Sequence, residues 1–411
     1  MDSLRNPYTP NAGATPEIVA GRLEHTRAFE VLLQRLMRGR TEQSMIMTGL
    51  RGVGKTVLLN EFADLGRAAR WEIVELEASK HDDGQFRQTM ASLLRSALLQ
   101  MSPRKRWGGR ARQAAEVLTS FGMSVTQNGT WSVSWDVEPA EGLGDHGDLA
   151  LDLTDVLVAV GRAAQDQERG VAILVDEVQF LRSAQLEALI QALHKTVQRK
   201  LPITFVGAGL PQIAELAGDA KSYAERLFRF PEIGSLDEDD AREALIRPAE
   251  LEDATYSGEA VELALEITKG YPYFIQELGY QAWEIAPGPQ ITADDVDAAR
   301  EGYLAKLDRS FFRVRLDRAT ALQTAYLRAM AELGPSAQKA SDVARVLRRE
   351  STQLGPTRAE LIDMGLLYTP EHGYAAFTVP DFDQFMLRAV PQLVIPEVRR
   401  RQRRETDGAD A

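Results

Sequence analysis

"GLRGVGKT", Gly49–Thr56, follows directly on the apolar run "SMIMT", Ser44–Thr48. The eight residues fit G-x-x-x-x-G-K-[ST] without a gap. Glycines at this spacing let successive backbone N–H groups turn inward and cradle phosphate oxygens. A lysine there reaches β- and γ-phosphates as a point charge, and the threonine hydroxyl goes to Mg²⁺. The flanks agree. "SMIMT" reads as a short buried strand and "TVLLNEFADLGRAA" (Thr56–Ala69) as a helix whose N-terminal dipole faces the phosphates. The expected nucleotide contacts are therefore Gly49, Leu50, Arg51, Gly52, Val53, Gly54, Lys55, Thr56 and Val57.

Such a loop needs an acid to hold the metal. "GVAILVDEVQF" (Gly170–Phe180) supplies one: Val171–Val175 reads as a strand buried on both faces, and it ends in Asp176-Glu177. Ligands bind at the C-terminal ends of parallel strands. Asp176 is expected in the Mg²⁺ shell with Thr56, and Glu177 is placed to orient or activate the attacking water. An acid pair of this kind belongs to hydrolytic rather than purely binding P-loop proteins.

Further strands read at Trp71–Leu76, Pro202–Gly209 and Arg226–Phe230, with helical patterns between them. Strand–helix alternation predicts a parallel, doubly wound sheet. The alternation is interrupted by "FGMSVTQNGTWSVSWDV" (Phe121–Val137), which has period two and predicts a hairpin insertion. From Asp237 the pattern turns wholly helical, with caps at Asp237, Ser257 and Thr292 and Pro272 opening a helix. After Ser310 come helix, short helix, "STQLGPTRAELIDMG", then two short strands around Glu371-His372-Gly373 and a closing helix. That is the winged-helix order, with Thr352, Gln353, Thr357 and Arg358 near the exposed start of its third helix. The expected organisation is a core over 1–236 with the hairpin near 121–137, a separate helical bundle over 237–309, a winged-helix domain over 310–395 and a basic tail over 396–411.

Bulk properties exclude several classes. The absence of cysteine removes disulfides, thiolate metal sites and cysteine nucleophiles together. No apolar run approaches the ~18 residues that span a membrane, and "MDSLRNPYTPNAG" lacks a signal-peptide pattern. A cytoplasmic protein with no membrane partner is expected. The net charge of −12 provides no global pull toward nucleic acid. It is uneven, however: Ser310–Ala411 holds 15 Lys+Arg against 13 Asp+Glu, with an arginine run in "VRRRQRR". A like-charge run of this kind is ordinarily a solvated tail.

"TPEIVAGRLEHTRAFEVLLQRL", "GLRGVGKT", "ILVDEVQ", "FVGAGLP", "YAERLF" and "GYPYFIQELG", in that order and followed by a winged helix, resemble the bacterial and archaeal origin-recognition-type AAA+ ATPases, which border the STAND signal-transducing NTPases. The resemblance covers roughly residues 6–390. It implies an α/β P-loop NTPase core with an AAA+-like parallel sheet, a helical lid and a C-terminal winged-helix domain. It implies ATP with Mg²⁺, and adenine held near Val19, Ala20, Gly21, Arg22 and Pro272. It also implies that Arg226 or Arg229 approaches the γ-phosphate, in trans from a neighbouring copy.

Two features depart from the AAA+ pattern. The fourth strand ends in "VGAGLP" with no polar residue to sense the γ-phosphate, and "GYPYFIQ" lacks the usual lid arginine. Both favour a slow molecular switch over a processive motor. Two outputs remain open: engagement of DNA through the winged helix, or protein-directed regulation or defence through ATP-dependent oligomerisation. A metabolic P-loop kinase is a distant third.

Overall fold

The computed structural model describes residues 1–11, 13–80, 82–102, 108–123 and 137–397. The chain divides into two compact units, Met1–Leu304 and Ala305–Ala411.

The first unit is built on a parallel sheet of β1 (Ser44–Thr48), β2 (Trp71–Glu77), β3 (Gly170–Asp176), β4 (Ile203–Gly209) and β5 (Phe228–Arg229), in the order β2-β3-β4-β1-β5. Every residue of β1 and β4 is buried, as helices on both faces require. β4 lies between β1 and β3, with Thr48 opposite Gly209 and Val175 opposite Gly207. The phosphate-loop strand and the Asp176 strand therefore end at one edge with the end of β4 between them.

The helices of this unit are α1 (Leu23–Met37), α2 (Lys55–Ala68), α3 (Asp83–Met101), α4 (Gly109–Met123), α5 (Leu149–Asp166), α6 (Ser183–Gln198), α7 (Ile213–Ala220), α8 (Ala224–Leu227), α9 (Glu238–Leu251), α10 (Gly258–Thr268), α11 (Pro272–Ile285) and α12 (Ala293–Lys306). Two-residue strands β6 (Thr255–Tyr256) and β7 (Gln290–Ile291) pair in parallel between α9 and α12. The predicted caps are in place. The Asp237 side chain accepts from Asp240 N–H, the Ser257 hydroxyl accepts from Ala260 N–H, and Pro272 sits in the first turn of α11.

Two expectations are corrected. The fifth strand was expected over Arg226–Phe230, but only Phe228–Arg229 pairs with β1, and Ala224–Leu227 forms a helical turn. The hairpin was expected to begin at Phe121, yet Phe121–Met123 close helix α4. The reason is packing: Ala114, Leu118 and Phe121 recur at helical spacing and are buried, which a three-residue alternation cannot outweigh. The rest of that predicted hairpin, 124–136, lies outside the described residues.

Phe121 also receives the Arg87 guanidinium 5.1 Å from its ring centre. Arg87 pairs with the wholly buried Asp152 at 2.7 Å, tying α3 to α5.

The second unit contains a π-helical turn (Leu307–Phe312), α13 (Arg313–Leu316), α14 (Ala321–Leu333), β8 (Gln338–Lys339), α15 (Ala340–Val346), α16 (Ser351–Asp363), β9 (Leu367–Tyr368), β10 (Tyr374–Phe377) and α17 (Phe382–Ala389). Its antiparallel sheet runs β8-β10-β9. Phe312 packs on Phe382 and Phe385 at 5.6 and 5.1 Å. On α16, Thr352 and Gln353 are exposed, but Thr357 is buried and Arg358 is half-buried, because the Arg358 guanidinium donates to the Tyr374 carbonyl and to Thr369 Oγ1. Among the described residues, no helix is long and apolar enough to cross a membrane.

Asp152→Ala removes the carboxylate facing a buried guanidinium. It is expected to destabilise the first unit by about 3–5 kcal/mol, read as a lowered midpoint in chemical denaturation. A midpoint equal to that of the parent would show that the pair contributes nothing.

Candidate functional site

Gly52 and Gly54 have φ of +87° and +91°, left-handed values open to glycine, so the loop can fold its N–H groups inward before α2 begins at Lys55. Gly49 is constrained differently. A Cβ there would lie 2.1 Å from the Ile233 carbonyl oxygen, so the chain leaving β5 can cross the loop only over a glycine.

Lys55 is buried, and its ammonium donates to the carbonyls of Gly49 at 2.9 Å and Leu50 at 2.7 Å. These bonds use two of its three N–H donors and hold the charge at the mouth of the loop. Burial lowers its pKa to about 8, against opposing pulls from Glu177 and Asp176.

Thr56 Oγ1 donates to Asp176 Oδ2 at 2.5 Å, and the other oxygen, Asp176 Oδ1, accepts the Glu177 N–H at 2.8 Å. Burial raises the Asp176 pKa, partly offset by those two hydrogen bonds. A hydroxyl and a carboxylate thus meet at one point at the end of β3, a hard-oxygen pair suited to Mg²⁺. Glu177 follows with a left-handed backbone, φ +53°. One of its carboxylate oxygens lies 3.8 Å from Arg51 Nη1, and the other accepts from the Gln179 carboxamide.

Two further elements grip the loop. Arg22 Nη2 donates to the carbonyls of Val53 at 3.1 Å and Gly234 at 2.8 Å, which ties the segment before α1 to the loop and to the connection leading into α9. Beside it, Gly21 has φ +67°, and a Cβ there would meet Asp240 Oδ2 at 2.6 Å. From the other side, the Tyr271 hydroxyl donates to the Arg51 carbonyl, and Tyr273 N–H donates to the Gly52 carbonyl at 3.2 Å. Pro272 lies between these two tyrosines at the start of α11. Ahead of α1, the chain passes α2, where Asn60 Nδ2 donates to the Gly13 carbonyl at 3.4 Å.

The structure therefore gathers Gly49–Thr56, Asp176, Glu177, Gly21, Arg22 and Pro272 around one loop, with Val19 and Ala20 leading in as partly buried and buried residues. Val57 continues into α2. Arg226 and Arg229 are not brought there. Arg229 pairs with Met45 near the start of β1, whereas the loop leaves the far end of that strand, and its guanidinium is held by Glu42 at 2.7 Å. Arg226 is exposed beside it.

Three contributors escape sequence reasoning: Gln179, Tyr271 and Tyr273. For Gln179 there was a faint signal in the sequence. "DEVQ" places it two residues past Glu177, and the glycine ending β4 leaves room for its carboxamide.

The AAA ATPase domain family matches residues 18–206, and a domain of unknown function, DUF8462, matches residues 309–386. No curated protein matches the chain. Among solved structures, the Walker-type ATPase PABY2304 of Pyrococcus abyssi is similar at a TM-score of 0.56 and 17% identity, over 90% of this chain and 97% of that one. The Aeropyrum pernix Orc1 protein in complex with DNA is similar at 0.47 and 14% identity, over 94% and 96%. The Thermotoga maritima RuvB Holliday junction branch migration motor is similar at 0.44 and 17% identity, over 87% and 92%. At 17% identity the likeness to the Walker-type ATPase is one of fold. Residues 18–206 match the AAA ATPase domain family, and this part of the chain is a P-loop ATPase domain of that kind.

The depressed Lys55 pKa sets a pH dependence for nucleotide binding. Below pH about 8 the ammonium is already charged. Above that value the nucleotide-free protein has lost the proton, and a polyphosphate, which favours the charged form, must recover it. ATP affinity is expected to fall as pH rises past about 8, by at most about tenfold per pH unit. Calorimetry in buffers of different ionisation enthalpy should show proton uptake near pH 9 and none near pH 7. Equal uptake at both would refute the assignment.

Proposed function

We propose that this ATPase works as a nucleotide-dependent switch in which the α9–α12 bundle is a lid that reads the phosphate loop directly. The observation that carries the reading is the pair of bonds from Tyr271 and Tyr273 to the carbonyls of Arg51 and Gly52. A change in loop conformation on binding or losing a γ-phosphate would alter both, and the lid would follow.

In this reading ATP lies with its phosphates along Gly49–Thr56, and adenine lies between the Val19–Arg22 segment and Pro272. Lys55 supplies charge to the β- and γ-phosphates. Thr56 and Asp176 hold Mg²⁺, which would neutralise phosphate charge. The Glu177 carboxylate accepts a proton from water as the water oxygen bonds to the γ-phosphorus. The bond to the bridging oxygen then breaks, leaving ADP and inorganic phosphate. Arg226 or Arg229 can stabilise this charge only from a neighbouring copy, because neither is near its own loop.

The second unit is read as a winged helix that engages DNA, supported by its helix–strand–helix–helix–hairpin order and by the arginines over 399–404. A second reading, a protein partner reached through ATP-dependent assembly, is favoured by α16 itself. Its arginine is held by the hairpin, and its exposed face carries Glu360 and Asp363 rather than cations.

Mass in solution with ATP·Mg²⁺, with ADP and without nucleotide tests the switch. Glu177→Gln is expected to bind ATP, to lose turnover by at least about a hundredfold and to hold the ATP-dependent form. A protein that stays monomeric in all states excludes an arginine acting in trans. Binding of duplex DNA that weakens steeply with salt would support the DNA output, since phosphate contacts release counterions. Salt-insensitive or absent binding would favour the protein output.

A further inference from the structure

The end of β4 has no polar residue of its own, yet it is not without one. Gln179, from the turn after β3, places its carboxamide there: Oε1 accepts the Leu210 N–H at 3.1 Å, and Nε2 donates to a Glu177 carboxylate oxygen. The space exists because residue 209 is glycine. A Cβ at that position would lie 2.8 Å from Gln179 Oε1. The Gly209 carbonyl in turn accepts the Gly49 N–H at 3.1 Å, so the strand end that seats Gln179 also seats the first residue of the phosphate loop.

We propose that Gln179 is a positioning residue for ATP hydrolysis, fixing the Glu177 carboxylate to the end of β4 and so linking it to the loop. The inference rests on the reading of Glu177 as the group that activates water. Three observations converge on it. The carboxamide is used at both ends, and its two bonds join a main-chain group to a carboxylate. The carboxylate is held from two sides, by Gln179 and by Arg51, whose backbone belongs to the loop. Its backbone is left-handed at a non-glycine residue, a conformation that persists only where surrounding contacts hold it. The reaction loses most from small displacements at this point, because water must be presented to the γ-phosphorus along one line.

The test uses the full chain with ATP·Mg²⁺, following phosphate release for kcat and a fluorescent ATP analogue for affinity. Gln179→Met keeps the side-chain volume and removes both bonds. Gln179→Glu keeps an acceptor for Leu210 N–H and removes the donor to Glu177. Gly209→Ala leaves Gln179 in the sequence but displaces its carboxamide. All three are expected to lower kcat, on the order of tenfold to a hundredfold, with nucleotide affinity unchanged. Gly209→Ala added to Gln179→Met should cost nothing more, since both act through one contact. Parent-like kcat in Gln179→Met or Gln179→Glu overturns the proposal. So does a loss of affinity that parallels the loss of kcat, which marks a merely structural role. If Gln179→Met does not fold, Gly209→Ala decides by the same criteria. Glu177→Gln separates the two levels: parent-like turnover there sinks the reading of Glu177 and this proposal with it, whereas its loss alongside an unaffected Gln179→Met sinks only the proposal.

Discussion

Everything at the site depends on how closely three backbone segments meet at the end of β1. The Thr48 N–H donates to the Pro231 carbonyl at 2.9 Å, and the Thr48 carbonyl accepts from Ile233 N–H at 2.7 Å. One residue on, Gly49 N–H donates to Gly209, while the Ile233 carbonyl occupies the volume a side chain would need. The phosphate loop is thereby fixed between the end of β4 and the strand that leads into α9. With this crossing in place, Arg22 can bridge Val53 and Gly234, and α11 can bring its tyrosines to Arg51 and Gly52. A side chain at residue 49 would push these segments apart.

The buried polar groups follow the same economy of position. Lys55 and Asp176 are both desolvated, and burial moves each pKa toward the neutral form. They are held by hydrogen bonds to loop carbonyls, to a hydroxyl and to a main-chain N–H rather than by pairing with each other.

What could be read in the sequence was local. The loop, the Asp176-Glu177 strand end, the helix caps at Asp237 and Ser257 and the opening proline of α11 each announce themselves within a few residues, because sterics and hydrogen bonding at that range dictate them. What stayed hidden was long-range. Tyr271 reaches a carbonyl 220 positions away, and Gln179 serves a strand end that the sequence shows only as glycine and leucine. The expected hairpin start at Phe121 failed for a related reason: period two over three residues is too short a record to compete with the burial of Phe121 on α4. Arg229 shows the converse. Its place on β5 was nearly legible, but its distance from the loop follows from the parallel register with Met45.

The segment ahead of α1 is anchored at two points. The Tyr8 ring fills the notch left by Gly279, its hydroxyl donates to the Leu245 carbonyl at 2.6 Å, and Thr9 N–H donates to Gln276. Gly13, four positions on, is held by Asn60 of α2. Four residues of extended chain span at most about 14 Å. The backbone between these anchors is therefore a leash joining α11 to α2, and its covalent length sets a ceiling on how far the two can part. Travel beyond that ceiling requires one anchor to let go, and Tyr8, buried and bonded, is much the harder to release. While both anchors hold, the separation of α11 from α2 along this path is bounded by a count of residues, and lengthening or shortening that stretch by one would move the bound by about 3.5 Å.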